Sequence, residues 1–307
     1  MSKLKIIAPI HSLYDGPRDH LPDQIELDQS LIIRRKGDDL ARSIKVITSS
    51  FESIYSKADI EDLKNCRFYV DYIFDDEKES KKEAQDKIHH IIEILRIVRP
   101  NRASCFTFLF SLKENGDLNP EGASGKSNAV FLIYGEPVGS QHFHAHDEHK
   151  IKKYYSCISR LYSKYGGNYN RILNAYIFFQ LGYLTHYTKL RIVPFTIALE
   201  SLFNTSEQET GYSLRMRCAA FLGKTKDEKE SLMCKIKSIY EVRSAAVHGL
   251  SLPKKVLKNL LESNKIWRDA EEISRRCLQK IFDEDLIDIF SQPNDKLSKY
   301  LDDLLFT

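Results

Sequence analysis

The segment Arg243-Ser-Ala-Ala-Val-His248 places a guanidinium and an imidazole five positions apart at the end of an amphipathic stretch. Arginine can hold a phosphate through its fixed fork of donors, and histidine can take up and return a proton near neutral pH. Because Gly249 and Pro253 follow, the sequence predicts a helix over Asp227 to His248 with glycine as its C-terminal cap. The helix dipole then favours the protonated imidazole by about 0.3–1 kcal/mol.

The same predicted helix carries an apolar stripe, and Arg243 falls on it, so we expect the guanidinium to point inward. The stripe consists of Ile236, Ile239, Tyr240 and Val247. An offset of five residues separates Arg243 from His248 by about 7.5 Å along the helix axis and roughly 140° around it. Two copies of the helix paired across a two-fold axis would place two arginines and two histidines around one cleft. A symmetric homodimer is therefore the expected active form.

The seven residues Arg243-Ser-Ala-Ala-Val-His-Gly249 resemble the R-x4-6-H signature of HEPN-domain ribonucleases. Three surrounding segments resemble the Apea-like branch of that family in their order and spacing: Ile197-Ala-Leu-Glu-Ser-Leu-Phe203, Tyr212-Ser-Leu-Arg-Met-Arg-Cys-Ala-Ala-Phe-Leu222 and Ile239-Tyr-Glu-Val-Arg243. The resemblance covers roughly residues 170 to 260. Many family members have Asn, Asp or His directly after the arginine, whereas this chain has Ser244, as the Apea-like branch commonly does.

The resemblance implies an endoribonuclease that needs no metal or other cofactor. RNA supplies its own nucleophile, so His248 would act as general acid or base and Arg243 would hold the phosphate. Ser244, Glu200 and Arg217 are the expected supporting residues, with Glu200 orienting Arg243 or Arg217, or forming a structural ion pair. Such domains commonly serve as toxins or anti-phage effectors. The implied partners are an RNA substrate, a second copy of the chain, and a regulatory protein, antitoxin or phage trigger.

Two other functions compete with this one. A non-catalytic HEPN module would use the same helix to dimerise or to bind RNA or a protein. A metal-dependent hydrolase would instead use the cluster His142-Phe-His-Ala-His-Asp-Glu-His149, which resembles the H-x-H-x-D-H loop of metallo-β-lactamase-like enzymes but has Glu148 at the aspartate position. We interpret the cluster as a solvated loop or an incidental surface metal site.

The first half of the chain is predicted to be an α+β domain over residues 1–141, with a sensing or regulatory role. Strand-like runs cover residues 5–10, 30–34, 103–112 and 128–133, and the runs 103–112 and 128–133 are joined by a loop rich in Gly, Asn, Pro and Ser. Helices are predicted over Asp38 to Lys57 and Asp76 to Arg99.

From residue 142 to 307 the periodicity is helical, which predicts an all-α HEPN-type bundle. The predicted helices cover 151–165, 169–188, 192–203, 213–222, 227–248 and 254–290. The change of periodicity places the domain boundary among the turn residues at 135–141.

The overall composition excludes several classes of protein. With 307 residues, 42% hydrophobic, the chain can bury the cores of two domains. A net charge of only +3 argues against a polycationic coat, so any RNA must meet a local patch. Six scattered cysteines, no secretion signal and no apolar run near 20 residues predict a cytoplasmic protein outside the membrane.

Overall fold

The structure is a computed structural model, and it describes residues 3–16, 19–50, 56–113, 118–123, 142–165, 170–185, 190–206, 211–251 and 260–306. The chain forms two compact units. The first holds the described residues up to 123 together with 142–158, and the second holds 159–306. The predicted strand 128–133 and the predicted boundary at 135–141 lie outside the described residues.

The first unit is built on an antiparallel sheet. In chain order its strands are β1 (Lys3–His11), β2 (Gln24–Glu26), β3 (Leu31–Arg35), β4 (Phe68–Asp75), β5 (Ser104–Cys105), β6 (Phe108–Leu112) and β7 (Leu118–Ala123). The spatial order is β2-β3-β4-β1-β6-β7, and β5 also pairs with β1. Successive strand residues point to opposite faces. The burial of both Ile6 and Ile7 on β1 therefore shows that both faces of this central strand are covered.

Among the described residues, three helices lie wholly within this unit: α1 (Asp38–Ser50), α2 (Lys57–Asn65) and α3 (Lys81–Val98). Ile44 and Ile47 of α1 and Leu63 of α2 share a buried cluster with Ile7 and with aromatic residues of β4, β6 and the segment before β6. Burial of this apolar area drives the packing at about 25 cal/mol per Å².

In the first half, the helix start predicted at Asp38 is confirmed, whereas α2 was not predicted and the start of α3 was placed too early. A second helix, α2, begins at Lys57, where one helix had been predicted to end, because Ser56 and Asp59 form a reciprocal capping box. The next helix, α3, begins at Lys81 rather than Asp76, because Ser80 and Glu83 form the same kind of cap. Each cap satisfies backbone N–H groups that would otherwise lack partners at the first turn.

The predicted loop after β6 contains a strand, β7, despite its proline and glycine. Pro120 pairs in register with Phe110 across an irregularity in the ladder between Leu109 and Phe110. Since β7 is the last of the described strands in the sheet order, its proline breaks no hydrogen bond to a further described strand on its outer side. The position of β7 in the sheet therefore allows a strand to form from residues that are more typical of turns.

The second half of the chain is mostly helical. Its helices are α4 (Asp147–Tyr165), α5 (Arg171–Leu184), α6 (Ile192–Phe203), α7 (Gly211–Leu222), α8 (Lys226–Val247), α9 (Leu260–Asp283), α10 (Ile287–Phe290) and α11 (Asn294–Asp303), followed by a 3₁₀ turn at Leu304–Phe306. Residues 147–158 of α4 belong to the first unit and 159–165 to the second. Helices α5 and α6 pack closely at Gly182, where an added Cβ would lie 2.4 Å from the Phe195 ring.

The predicted helix over 254–290 was wrong in its C-terminal part. It ends at Asp283 because Asp285 adopts a positive φ of 52°, which a right-handed helix does not allow. The chain then forms α10 and α11, the second of which had not been predicted. The coarse prediction is confirmed: an antiparallel sheet region precedes a mostly helical one. Among the described residues, no helix is both long and apolar enough to cross a membrane.

Candidate functional site

The C-terminal end of α8 has the cap that the sequence predicts. His248 is the C-cap residue, and its backbone N–H donates to the Ser244 carbonyl at 3.0 Å. Gly249 adopts a φ of +66°, and the Leu250 N–H donates to the Ala245 carbonyl at 2.9 Å. These bonds satisfy carbonyls at the helix end and form the glycine cap typical of such ends. His248 is exposed, so its ring is accessible to solvent at this terminus.

The apolar stripe of α8 differs from the predicted one. The buried residues are Leu232, Ile236, Ile239, Val242 and Ala245, while Val247 is 49% exposed and Tyr240 is only half-buried. The true stripe passes through Val242, so Arg243 lies at its edge. An arginine at such an edge can bury its stem and still present its polar head to a neighbouring helix or to a ligand.

Arg243 forms an ion pair with Glu200 of α6. The Arg243 Nη2 donates to Glu200 Oε2 at 3.2 Å, and the two side chains are 21% and 18% exposed. The Arg243 Nε is buried and has no hydrogen-bond partner within the described part of the chain. The guanidinium therefore has one donor engaged by a carboxylate and retains donor capacity beside it.

The surroundings of Glu200 disfavour its charged form. Burial raises the pKa of the Glu200 carboxyl, and the charge and hydrogen bond of Arg243 reduce this rise without cancelling it. Burial therefore works against the ion pair that Arg243 stabilises. A phosphate offers a guanidinium more acceptor oxygens and more charge than this carboxylate does.

Tyr240 supports the guanidinium from the same helix. The Arg243 Cζ lies 5.8 Å from the centre of the Tyr240 ring, within the range of a cation–π contact. The ring also lies against the start of α7, where a Cβ added to Gly211 would come within 2.8 Å of Tyr240 Cε1. Sequence reasoning assigned Tyr240 only to the apolar stripe. The missed signal is its i,i+3 spacing from Arg243, which places both side chains on one face.

Of the predicted supporting residues, Glu200 meets Arg243, whereas Arg217 is engaged by α11 and by the end of α6. Arg217 Nε donates to Asp302 at 2.9 Å, Nη2 to Ser298 at 2.7 Å, and Nη1 to the Phe203 carbonyl at 3.0 Å. Its side chain is only 7% exposed. Arg217 therefore braces the helices around the site. Ser244 is half-buried, and its backbone carbonyl accepts the hydrogen bond from the His248 N–H at the end of α8.

The histidine cluster before α4 forms contacts within the first unit. His142 Nδ1 lies 3.0 Å from the Asp15 carbonyl, and His144 Nδ1 lies 3.4 Å from Asp19 Oδ2. His146 Nε2 lies 3.0 Å from Arg99 Nη2. Among the described residues, no group of three or more His, Cys, Asp or Glu side chains is arranged to hold a metal ion. His142 and His144 therefore join the segment before α4 to the loop after β1, and His146 joins it to the residue that follows α3.

Asp15, at the centre of that loop, is a buried carboxylate with several basic partners. Arg35 Nη2 donates to it at 2.7 Å, while Arg67 Nη1 and His20 Nδ1 lie 3.4 Å and 3.1 Å away. Burial alone would raise the pKa of Asp15, but the hydrogen bond and charge of Arg35, a backbone hydrogen bond and the charge of His20 together hold that pKa below its usual range. No sequence pattern pointed to this cluster.

Comparisons with protein-family models, curated proteins and solved structures gave no match for the chain.

Proposed function

We propose that this protein is a metal-independent endoribonuclease of the HEPN class, resembling its Apea-like branch, in which Arg243 and His248 act on RNA. The observation that carries the proposal is the end of α8. It joins an exposed histidine at a capped helix terminus to a half-buried arginine whose described ion-pair partner is Glu200, a carboxyl with a raised pKa.

The chemistry suits these two side chains because RNA carries its own nucleophile, the ribose 2′-hydroxyl. His248 takes the proton from that hydroxyl or supplies one to the leaving 5′-oxygen. Arg243 exchanges Glu200 for the scissile phosphate and compensates the charge that grows on the phosphate oxygens in the transition state.

A homodimer through the helical unit completes the proposed site. Within one helix, five residues separate Arg243 and His248 by about 7.5 Å in rise and roughly 140° in rotation, so one copy does not present both to a single phosphate. A two-fold axis beside α8 brings Arg243 and His248 of both copies together, so that the two copies form one composite site for the phosphate. In this proposal the N-terminal unit regulates the cleavage, as in a toxin or anti-phage effector restrained by a partner or released by a trigger.

The proposal is tested with the full-length chain, a mixed pool of RNA and excess EDTA. We expect the wild-type protein to cut RNA, and Arg243→Ala and His248→Ala each to cut at least about 100-fold more slowly, since a positioned acid or base contributes 10²–10⁴-fold. Arg276→Ala serves as the matched control. It removes another arginine paired with a glutamate at 3.8 Å, on the surface of α9, and should leave the rate unchanged.

Three results would contradict the proposal. Equal cleavage by the wild type and both site variants would remove the assigned roles. Cleavage that EDTA abolishes and His248→Ala retains would favour the metal-dependent alternative at His142–His149. RNA binding by the wild type without any strand cleavage would favour the non-catalytic HEPN module.

A further inference from the structure

An exposed tyrosine lies at the start of α7, the helix whose first residue, Gly211, contacts the Tyr240 ring beside Arg243. Tyr212, the second residue of α7, is 57% exposed. Single exposed apolar residues are common on protein surfaces. Tyr212 differs because an arginine accompanies its ring, and because the start of α7 lies against the residues that hold Arg243.

The arginine beside the ring is Arg215, one turn further along α7. Its Cζ lies 5.3 Å from the centre of the Tyr212 ring, and its Nε donates to the Gly211 carbonyl at 3.1 Å. That hydrogen bond ties the guanidinium to the first turn of the helix. Arg215 is half-buried, so its position is set by the protein while part of it stays accessible.

A continuous series of contacts leads from Tyr212 to Arg243. Gly211, adjacent to Tyr212, has no room for a Cβ because the Tyr240 ring lies against it. Tyr240 in turn stacks beside Arg243, with 5.8 Å between the Arg243 Cζ and the ring centre. The Tyr212–Arg215 pair on α7 and the Tyr240–Arg243 pair on α8 are therefore joined through the contact of Gly211 with Tyr240. We name Tyr212, Arg215 and Tyr240 the Tyr212 platform.

Alternating aromatic rings and guanidinium groups suit a nucleic-acid strand whose bases are unpaired. An aromatic ring stacks on any base that has left a duplex, and stacking contributes about 1–3 kcal/mol per base. Guanidinium groups bind the phosphates between the bases. In an RNA duplex the base faces are covered by their neighbours, so a single exposed ring has nothing to stack on.

We infer that the Tyr212 platform is a binding subsite for single-stranded RNA, in which Tyr212 stacks on an unpaired base, Arg215 holds an adjacent phosphate, and Arg243 holds the phosphate to be cut. This inference rests on the proposed function, because it names the class of RNA that the Arg243 site accepts. It makes Tyr212 and Arg215 positioning residues that act through substrate binding.

Binding is measured by fluorescence anisotropy with a 5′-labelled RNA oligonucleotide of mixed sequence, single-stranded or annealed to its complement. The full-length chain carries His248→Ala so that the RNA stays intact. In this background, we expect Tyr212→Ala to weaken binding of the single strand by about fivefold or more. Tyr212→Phe should bind within about twofold of the parent protein, because the ring is kept. Duplex binding should be equal for all three.

Two further variants sharpen the test. Tyr14→Ala removes another exposed tyrosine, 41% accessible, from the first unit and should leave the Kd unchanged. Arg215→Ala should weaken binding of the single strand. It should also reduce the slope of log Kd against log salt concentration by about one, because one fewer counterion is released on binding. If Tyr212→Ala binds the single strand as tightly as Tyr14→Ala does, the inference is overturned. Equal weakening by Tyr212→Ala and Tyr212→Phe would also overturn it, since the hydroxyl and not the stacking surface would then matter.

Cleavage by proteins with His248 intact separates this inference from the proposed function. If RNA is cut in a manner that requires Arg243 and His248, while Tyr212→Ala binds normally, the proposed function stands and the subsite is wrong. If Tyr212→Ala weakens binding selectively but no protein cuts RNA, the subsite stands and the nuclease is wrong. Where both are right, Tyr212→Ala raises KM and changes kcat little.

Discussion

The two units of the chain each contain an arginine–carboxylate pair, and the pairs differ in how firmly they are made. Arg35 reaches Asp15 at 2.7 Å, and the carboxylate is 1% exposed. Arg243 reaches Glu200 at 3.2 Å, and the carboxylate is 18% exposed. The pKa of Asp15 lies below its usual range, whereas that of Glu200 lies above it.

The opposite directions have a physical cause. Burial raises both carboxyl pKa values. At Asp15 the short hydrogen bond and the charge of Arg35, a backbone hydrogen bond and the charge of His20 together overcome this effect. Glu200 has Arg243, which does not overcome it. The surroundings favour the ionised carboxylate in the first pair and oppose it in the second. In the proposed function, Arg243 exchanges Glu200 for the phosphate. We expect mutations in the two pairs to affect different properties.

Activity should show the largest difference. Arg243→Ala is expected to reduce RNA cleavage at least about 100-fold, because it removes a donor aimed at charge that forms in the transition state. Arg35→Met should leave the rate per folded molecule within about twofold, since we assign it no role in the reaction. Initial rates in EDTA, normalised to the folded fraction, measure both. An equal loss in the two variants would remove the distinction.

Stability should show the reverse. Arg35→Met leaves the buried Asp15 carboxylate without its main partner, and we expect a loss of about 3 kcal/mol in the free energy of unfolding. Arg67→Met also removes a cation beside Asp15, at 3.4 Å, but Arg67 is 59% exposed. Its loss should cost less than about 1 kcal/mol. Urea unfolding compares the two, and similar costs would mean that Arg35 does not hold the buried charge.

The cap of α8 gives a smaller effect. Gly249→Ala forces a Cβ into a φ of +66° and should cost about 1 kcal/mol, although an added Cβ meets no atom within 4 Å. Gly249→Asn should cost less, since asparagine tolerates this conformation. Thermal unfolding of both variants checks the order. A loss in Gly249→Asn as large as in Gly249→Ala would contradict it.

The pH dependence of Glu200 is the smallest effect that we predict. Because its folded-state pKa is raised above 4.5, the folded protein binds this proton more tightly than the unfolded chain does. Its stabilising contribution is therefore complete below the unfolded pKa and is lost as pH rises through the folded pKa. As pH rises through this folded-state pKa, the free energy of unfolding of the wild type should therefore fall relative to that of Glu200→Gln. Urea unfolding at several pH values tests this, and a relative gain with rising pH would reverse the sign.

Much of the helical region could be predicted from sequence, because its signals are local. Helix α6 occupies the predicted residues, and the end of α8 follows from Gly249. The starts of α2 and α3 were also signalled, by Ser56 with Asp59 and by Ser80 with Glu83, but these capping boxes were overlooked. Strand β7 was not recognisable, since only its edge position makes Pro120 acceptable.

The site was partly predictable for the same reason. Arg243 and His248 lie on one helix, so their spacing is visible in the sequence, and Glu200 was selected through a family resemblance. The contact of Gly211 with Tyr240 joins two helices and has no local signal. The Asp15 cluster joins residues from positions 15, 20, 35 and 67, and no pattern within a short window connects them.

The most direct test of the central claim uses one RNA oligonucleotide in which the cut bond has been mapped. It is compared, in EDTA, with the same oligonucleotide carrying a single 2′-methoxy group on the ribose 5′ to that bond. We predict that cleavage of this bond by the wild-type protein falls at least about 100-fold, to the level that His248→Ala reaches on unmodified RNA. Equal cleavage of both oligonucleotides by the wild type would contradict the account, because the attacking group would not be the one that His248 is proposed to activate.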